Sequence, residues 1–251
     1  MKTLSIRPKK AILTHNLSEP LIGETAAKID INVGDGNLTI DRLIASEQLL
    51  ASGTLQYFEN IPTCNLVSSK GQATLTIRGS GSGRPWFRFP WAACNGATEW
   101  HIHLNPTVSS DITAHSGGGN VKLDMVGMAI TRVSADTGGG NLGVVLPDHA
   151  ADLNVVAGSG GGNVTVEIGS GVQGIGTVSA NSGAGNVAVQ IPGDIEARIH
   201  ATTGLGKVIM DSRFNKTVGN TYQSPDYERA ANKVEITAGT GAGNVIVNTK
   251  I

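Results

Sequence analysis

The chain contains few aromatic and few charged residues. Of its 251 residues only 4% are Phe, Trp or Tyr, 16% are charged, and the formal net charge is −1. Lysines and arginines are scattered without a basic run, so the sequence carries no electrostatic footprint for nucleic acid. No aromatic residue lies between His101 and Arg213. The central part of the chain must therefore build its core from small aliphatic side chains.

Cysteine, a secretory signal and long apolar runs are also scarce or absent. Cys64 and Cys94 are too few for a disulfide framework. A bond between them is possible, but two buried reduced thiols are the favoured interpretation, since the N-terminus lacks the apolar stretch of a signal peptide. No run approaches the roughly 20 apolar residues of a membrane span. We expect a cytoplasmic protein if Met1 is the natural start, with membrane association only through a partner.

Motifs for catalysis, cofactors and metals are missing as well. The sequence has no nucleophile motif or cofactor fingerprint. His101 and His103 lie on one face of a strand and could share a metal ion, but no third ligand follows nearby. The acidic residues fall at different places in the repeat: Asp124, Asp136, Asp152, Glu167, Asp194 and Glu196. We predict that the protein is not an enzyme and has no catalytic, cofactor-binding or metal-binding residues.

Glycine, by contrast, is abundant and regularly placed. The 34 glycines include pairs that recur in a Ser/Thr-Gly-x-Gly-Asn block, and a degenerate first copy is Val33–Asn37. The steps between blocks from Asn120 to Lys207 are 21, 22, 23 and 21 residues. A fixed period of this size is typical of a solenoid. The predicted structural corners are Gly117, Gly119, Asn120, Gly138, Gly140, Asn141, Gly160, Gly162, Asn163, Gly183, Gly185, Asn186, Gly241, Gly243 and Asn244.

Apolar residues alternate with polar residues on both sides of each corner. An Ala always precedes the Ser/Thr by two positions, and Ile or Val precedes it by four, as in Val155, Ala157 and Ser159. Alternation at period 2 around a Gly-rich corner predicts strand, turn, strand. The sequence thus predicts an all-β, β-helix-like solenoid of about 21–23 residues per coil. We expect the corner glycines to adopt positive φ, and the Asn residues to stack as a ladder that Lys207 interrupts.

The glycine blocks do not predict a ligand site. A phosphate-binding Gly-x-Gly needs a helix after it, and strands follow here. Calcium-binding Gly-Gly-x-Gly repeats carry an Asp after the last Gly, where this chain has Val121, Leu142 and Val164.

The chain divides into two predicted parts. Residues 1–98 form an irregular N-terminal β and cap region with the first Gly-cornered strand pair, and residues 99–251 form the regular solenoid with an insertion at 212–232. An aromatic cluster lies in the first part and is either a cap over the open core or an exposed interaction surface for a partner. Its residues are Trp86, Phe87, Phe89 and Trp91.

Three segments resemble a known family. Residues Ile29–Ile40, Trp100–Pro106 and Leu123–Val133, followed by the Gly-x-Gly-Asn corners, resemble the bacterial toast-rack domain, a family often labelled "putative adhesin". The resemblance spans about residues 28–250. The chain is also similar to the soluble domain of cell-wall-active antibiotic response proteins, which implies a role in envelope stress signalling.

Three functions follow as hypotheses. The leading one is a non-enzymatic β-solenoid that acts as a structural or adhesin-like interaction module and self-assembles. The alternatives are a regulatory or sensor domain of the envelope stress response and an unrecognised carbohydrate-active enzyme. We expect a homo-oligomer or a protein partner. The strand that begins at Val245 is predicted to be an uncovered edge through which copies associate.

Overall fold

The computed structural model describes residues 11–44, 48–79 and 98–250, and every regular element in these ranges is a β-strand. The prediction of an all-β chain is confirmed. The strands of the first two ranges are β1 Leu13–Pro20, β2 Ala26–Asn32, β3 Gly36–Arg42, β4 Leu49–Tyr57, β5 Thr63–Ser69 and β6 Gln72–Arg78.

The third range carries the repeated strand pairs. Its first strands are β7 Thr98–Leu104, β8 Ser109–Ser116, β9 Val121–Asp124, β10 Ile130–Thr137, β11 Leu142–Val145, β12 Asn154–Ser159, β13 Val164–Glu167, β14 Ile175–Ser182 and β15 Val187–Pro192. The remaining strands are β16 Glu196–Leu205, β17 Val208–Met210, β18 Asn215–Lys216, β19 Thr221–Gln223, β20 Lys233–Ala242 and β21 Val245–Lys250.

The strands form two sheets that pack face to face. Sheet 1 has ten strands in the order β1-β4-β7-β3-β9-β11-β13-β15-β21-β17, and sheet 2 has eleven in the order β18-β19-β16-β20-β14-β12-β10-β8-β2-β6-β5. Each Gly-rich corner leads from a strand of sheet 2 into one of sheet 1, so consecutive pairs stack as parallel coils and the fold is solenoid-like. Strands from both sides of residue 98 lie in each sheet, and the two-part division at that position stays a prediction.

The core is one narrow layer between the sheets. In the central coils sheet 2 contributes a column of Ile or Val and a column of Ala, and sheet 1 contributes two columns of Val or Leu, all of them buried. Register pairs Ile112 with Val133, Val133 with Val155, and Val155 with Val178. The alternation read from the sequence therefore sets which side chains are internal.

The larger side chains lie toward the ends of the stack. At one end Trp100 takes the place that Leu38 takes in the adjacent coil, and it is 2% exposed. At the other end Phe214 and Tyr227, from the segment between β17 and β20, are buried. The central Ala column leaves no room for rings, which explains why the central coils lack them.

The order of coils in space differs from their order in the chain. The last pair, β20–β21, lies between β14–β15 and β16–β17, and β21 pairs with both β15 and β17. The prediction of an uncovered edge at Val245 is therefore wrong. The N-terminal end has a similar inversion, since β2–β3 lies between β6–β7 and β8–β9.

Candidate functional site

The Ser/Thr of each corner joins its own coil to the neighbouring one. Ser159 donates its hydroxyl proton to the carbonyl oxygen of Gly140 at 2.8 Å and accepts the N–H of Gly162 at 2.8 Å. The same donation recurs along the stack, over 2.6–2.8 Å, from Ser116, Thr137, Ser182, Thr240 and Thr203. A hydroxyl can donate and accept at once. The column therefore satisfies backbone groups that the turn removes from the strand ladder.

The corner glycines are required for close approach, and the prediction of positive φ is wrong for the central coils. Of the described glycines with positive φ, none is Gly117, Gly119, Gly138, Gly140, Gly160, Gly162, Gly183 or Gly185. Instead, a Cβ added at Gly140 would lie under 3.0 Å from the backbone of Gly119 and Asn120. The middle glycine, Gly139, has no atom nearer than 4.0 Å. This difference explains why the middle position also accepts Ala or Leu.

The predicted Asn ladder forms, and most of its hydrogen bonds join an Asn side chain to the backbone of the next coil. Each side-chain oxygen accepts the N–H of the corresponding residue in the next coil, for example Asn141 Oδ1 from Asn163 N at 2.9 Å. The column runs Asn37, Asn120, Asn141, Asn163, Asn186, Asn244 and Lys207.

Lys207 ends this ladder. Its N–H donates to Asn244 Oδ1 at 3.0 Å, but a lysine side chain has no acceptor to offer a further coil. The interruption expected within the ladder lies at its terminus because β20–β21 precedes β16–β17 in space.

The whole of the predicted aromatic interaction surface lies outside the described residues. Trp86, Phe87, Phe89 and Trp91 lie outside the described residues, as does Cys94, so the cap and the exposed patch both stay predictions. Cys64 is half-buried in β5, and burial raises the pKa of its thiol. Whether it pairs with Cys94 also stays a prediction.

The two strand histidines do not converge on a metal site. His103 Nδ1 contacts Asp41 Oδ1 on the adjacent strand, and His101 stands exposed beside Thr39 and Thr54. Within the described ranges no group of three or more His, Cys, Asp and Glu residues could hold a metal ion. These ranges also contain no helix with the length and hydropathy that a bilayer crossing needs.

A small hollow lies where the turn before β2 meets the β5–β6 turn. It is lined by Ile22, Glu24, Ser68 and Lys70 among others. The Glu24 carboxylate accepts the Ser68 hydroxyl and the Ile22 N–H, and these hydrogen bonds lower its pKa. Both oxygens bond to the protein, so this carboxylate joins the two turns.

The outer face of sheet 2 is largely polar along the described strands. Its middle column follows strand register as Thr76, Asp30, Thr113, Ser134, Val156, Ser179, Thr237 and His200. We call this set the hydroxyl column. Most of its members are Ser or Thr, and Val156 near the middle is 40% exposed. Parallel strands lie about 4.8 Å apart, so the column presents short side chains at even intervals.

One ion pair includes Asp30 of the hydroxyl column, and two others lie beside the column. Arg78 contacts Asp30 at 2.6 Å near one end, and Arg198 contacts Glu228 at 2.5 Å near the other. His115 Nδ1 contacts Asp136 Oδ1 beside the column. Such exposed pairs contribute little to stability. The members of the hydroxyl column are the residues that alternate with the buried ones, so the sequence pattern predicted that they face outward. No sequence motif marked this face as a binding surface.

Comparison with known proteins identifies the fold. A crystal structure of a "putative cell adhesion protein" from Clostridium sporogenes matches with a TM-score of 0.70 and 21% identity, over 96% of this chain and 100% of that one. A "putative adhesin" from Bacteroides fragilis matches with a TM-score of 0.34 and 14% identity, over 97% and 100% of the two chains. No curated protein matches the sequence.

The family assignment depends on a sequence model and agrees with the resemblance of the three segments and the corners. Residues 5–167 match the family model described as the N-terminal domain of toast_rack, DUF2154. The matched range includes the first coils, the hydroxyl column as far as Val156 and the corners up to Gly162 and Asn163. The chain belongs to the toast-rack family.

Proposed function

We propose that this chain is a non-enzymatic, adhesin-like interaction module that binds a protein or a cell surface through the outer face of sheet 2. The observation that carries the proposal is the hydroxyl column, a row of mostly short polar side chains across eight adjacent strands. The adhesion name of the Clostridium sporogenes protein, which shares the fold, is consistent with this role.

The stack is suited to such binding because its backbone is held at every coil. Each corner is joined to its neighbour by a hydroxyl donation and by an Asn oxygen. A surface that is rigid before binding loses little conformational entropy on association. Weak contacts repeated along the column can then add up.

The experiment measures binding of the purified, labelled protein to intact cells of the native organism. The double variant Ser134→Arg, Ser179→Arg places two long charged side chains on the hydroxyl column. The matched control, Thr165→Arg, changes an exposed residue on the outer face of sheet 1. Circular dichroism and thermal melting check that all three proteins fold alike.

Loss of cell binding in the double variant, with binding retained by Thr165→Arg, is the expected result. A wild-type protein that does not bind cells would contradict the proposal. Capture by isolated membranes but not by intact cells would favour the envelope stress sensor. Glycan cleavage by the purified protein would favour the carbohydrate-active enzyme.

A further inference from the structure

Three of the four sheet ends close in the same way. Sheet 1 begins with β1, which is antiparallel to β4, and sheet 2 begins with β5, which is antiparallel to β6. At the other end sheet 2 closes with β19 and β18, which are also antiparallel to their neighbours. Sheet 1 ends there in β17, which is parallel to β21 and has no outer neighbour among the described residues.

The free side of β17 presents backbone groups that no other described strand pairs with. Lys207 O accepts the N–H of Val245 and Asp211 N donates to the carbonyl of Val247, so the odd-numbered residues bond to β21. Alternate residues of a strand direct these groups to opposite sides. The N–H and C=O of Val208 and Met210 therefore point toward the free edge.

The same edge leaves apolar side chains uncovered. Val208 and Met210, whose counterparts in other coils are buried, are only half-buried here. Ile209 on the outer face is 47% exposed, and Leu205 at the corner is 76% exposed. A strand laid along β17 would cover apolar area and pair backbone groups together.

We propose that β17 pairs with β17 of a second copy of this chain, in antiparallel orientation, to join sheet 1 of the two copies into one continuous sheet. A two-fold axis makes such an interface self-complementary. The pairing also repeats the antiparallel closure of the other three sheet ends. A register centred on Ile209 places Val208 opposite Met210 of the partner, so that both residues exchange their free N–H and C=O groups.

Charge supports this register. Lys207 is exposed, and a lysine on an edge strand opposes pairing with an arbitrary chain. In a dimer centred on Ile209, Lys207 lies opposite the partner's Asp211, and the two-fold axis produces two such pairs. Hydrogen bonds from the backbone N–H groups of Arg213 and Thr249 lower the pKa of Asp211, which keeps it anionic. Opposite charges directly across a strand pair are favourable.

End-to-end stacking of parallel coils is disfavoured by the same residues. A further parallel coil would need a side-chain acceptor at position 207 to continue the Asn ladder, and Lys207 has none. The opposite end of sheet 1 is also covered by antiparallel β4 and β1. The edge therefore specifies a closed dimer and not a filament.

Light scattering of the purified protein across the micromolar range tests the proposal. We expect a dimer in wild type and a dimer dissociation constant raised about tenfold or more in Met210→Pro, which removes an N–H on the free side only. Proline is tolerated on an edge strand where its N–H faces outward. Met210→Ala keeps the N–H and is the matched control, and thermal melting checks the fold of both variants.

A cysteine at the two-fold axis tests the register. In a Cys64→Ser, Cys94→Ser background, Ile209→Cys is expected to form a covalent dimer on oxidation, because a non-hydrogen-bonded antiparallel pair brings the Cα atoms within disulfide range. Ile246→Cys, one strand further in, is expected to stay monomeric on a non-reducing gel.

A monomeric wild type, a folded Met210→Pro variant that dimerises as wild type does, or equal cross-linking at both cysteine positions would overturn the proposal. The interface deepens the proposed function by naming a second copy as one partner. It lies away from the hydroxyl column, so a failure here leaves the cell-binding result unaffected, and the reverse also holds.

Discussion

At the scale of single residues, the corner depends on which atoms a side chain would meet. Gly140 approaches the backbone of the neighbouring coil, whereas Gly139 faces open space. The Gly-x-Gly spacing could be predicted from the sequence, because the middle position already varies among Gly, Ala and Leu. The physical reason for the glycines could not be predicted, because positive φ and close backbone approach both select glycine and therefore produce the same sequence pattern.

Gly140→Ala tests the close approach. We expect it to lower the free energy of unfolding by about 1–3 kcal/mol, because the added methyl group must displace the backbone of the adjacent coil. The matched control Gly139→Ala should stay within about 0.5 kcal/mol of wild type. Urea denaturation measures both, and equal effects of the two substitutions would show that close approach is not what selects glycine.

Tyr227 links stability to alkaline pH. Its hydroxyl donates to Glu235 at 2.8 Å, and Arg198 lies 4.3 Å above its ring centroid. Burial, followed by the hydrogen bond to Glu235, raises its pKa to about 12 from the ordinary value of 10.0. The unfolded chain therefore releases this proton first, so the contribution of Tyr227 is complete below pH 10 and declines as the pH rises toward 12.

The pH prediction is checked with Tyr227→Phe. Wild type should exceed the variant in melting temperature below pH 10, and the gap should narrow between pH 10 and 12, because only wild type carries the titrating hydroxyl. A gap that is constant over this range would mean that Tyr227 ionises alike in the folded and unfolded chains.

At the scale of elements, the sequence predicted the strands and which of their faces are buried. It did not predict which strands lie next to each other in the sheets. Ile199 and Ala201 of β16 occupy the same repeat positions as Ile236 and Ala238 of β20. Either coil fits on β14 by its apolar pattern, so local sequence does not decide which one lies there. Lys207 was the available signal, because a ladder residue without an acceptor suits only a terminal coil.

The segment between β17 and β20 acts as an end cap, and Phe214→Ala tests it. Phe214 is 5% exposed. Its truncation should lower the unfolding free energy by about 3–5 kcal/mol, since it removes a ring from the core end. Val218→Ala, in the same segment but at an 83% exposed position, is the control and should stay near wild type. Thermal and urea denaturation report both; similar losses would rule out Phe214 as the anchor of the cap.

At the scale of the whole molecule, the last described strand of the chain is internal to its sheet. Val245 donates its N–H to Lys207 O, and Val187 donates to Asn244 O, so β21 is bonded on both sides. Fraying usually concentrates at chain ends. Here the last strand of the chain, β21, is not an edge strand of its sheet.

Amide hydrogen exchange measures this separation. We expect Val245 to exchange about as slowly as Val187, although it lies near the C-terminus, and Asn215 in the edge strand β18 to exchange much faster. Fast exchange at Val245 together with slow exchange at Val187 would contradict the inserted position of β21.

The out-of-order coils at both ends also determine where the protein can grow. Each end of the stack has its own capping strands and a coil that lies out of chain order. The coils between β8 and β15, by contrast, follow chain order and share one apolar pattern. Asn141 and Asn163 occupy equivalent points 22 residues apart. A duplication of residues 142–163 would add one coil, and with it a second Val156 in the hydroxyl column, without disturbing either end. We therefore expect the protein to gain or lose whole coils in the middle of the stack and not at its two ends.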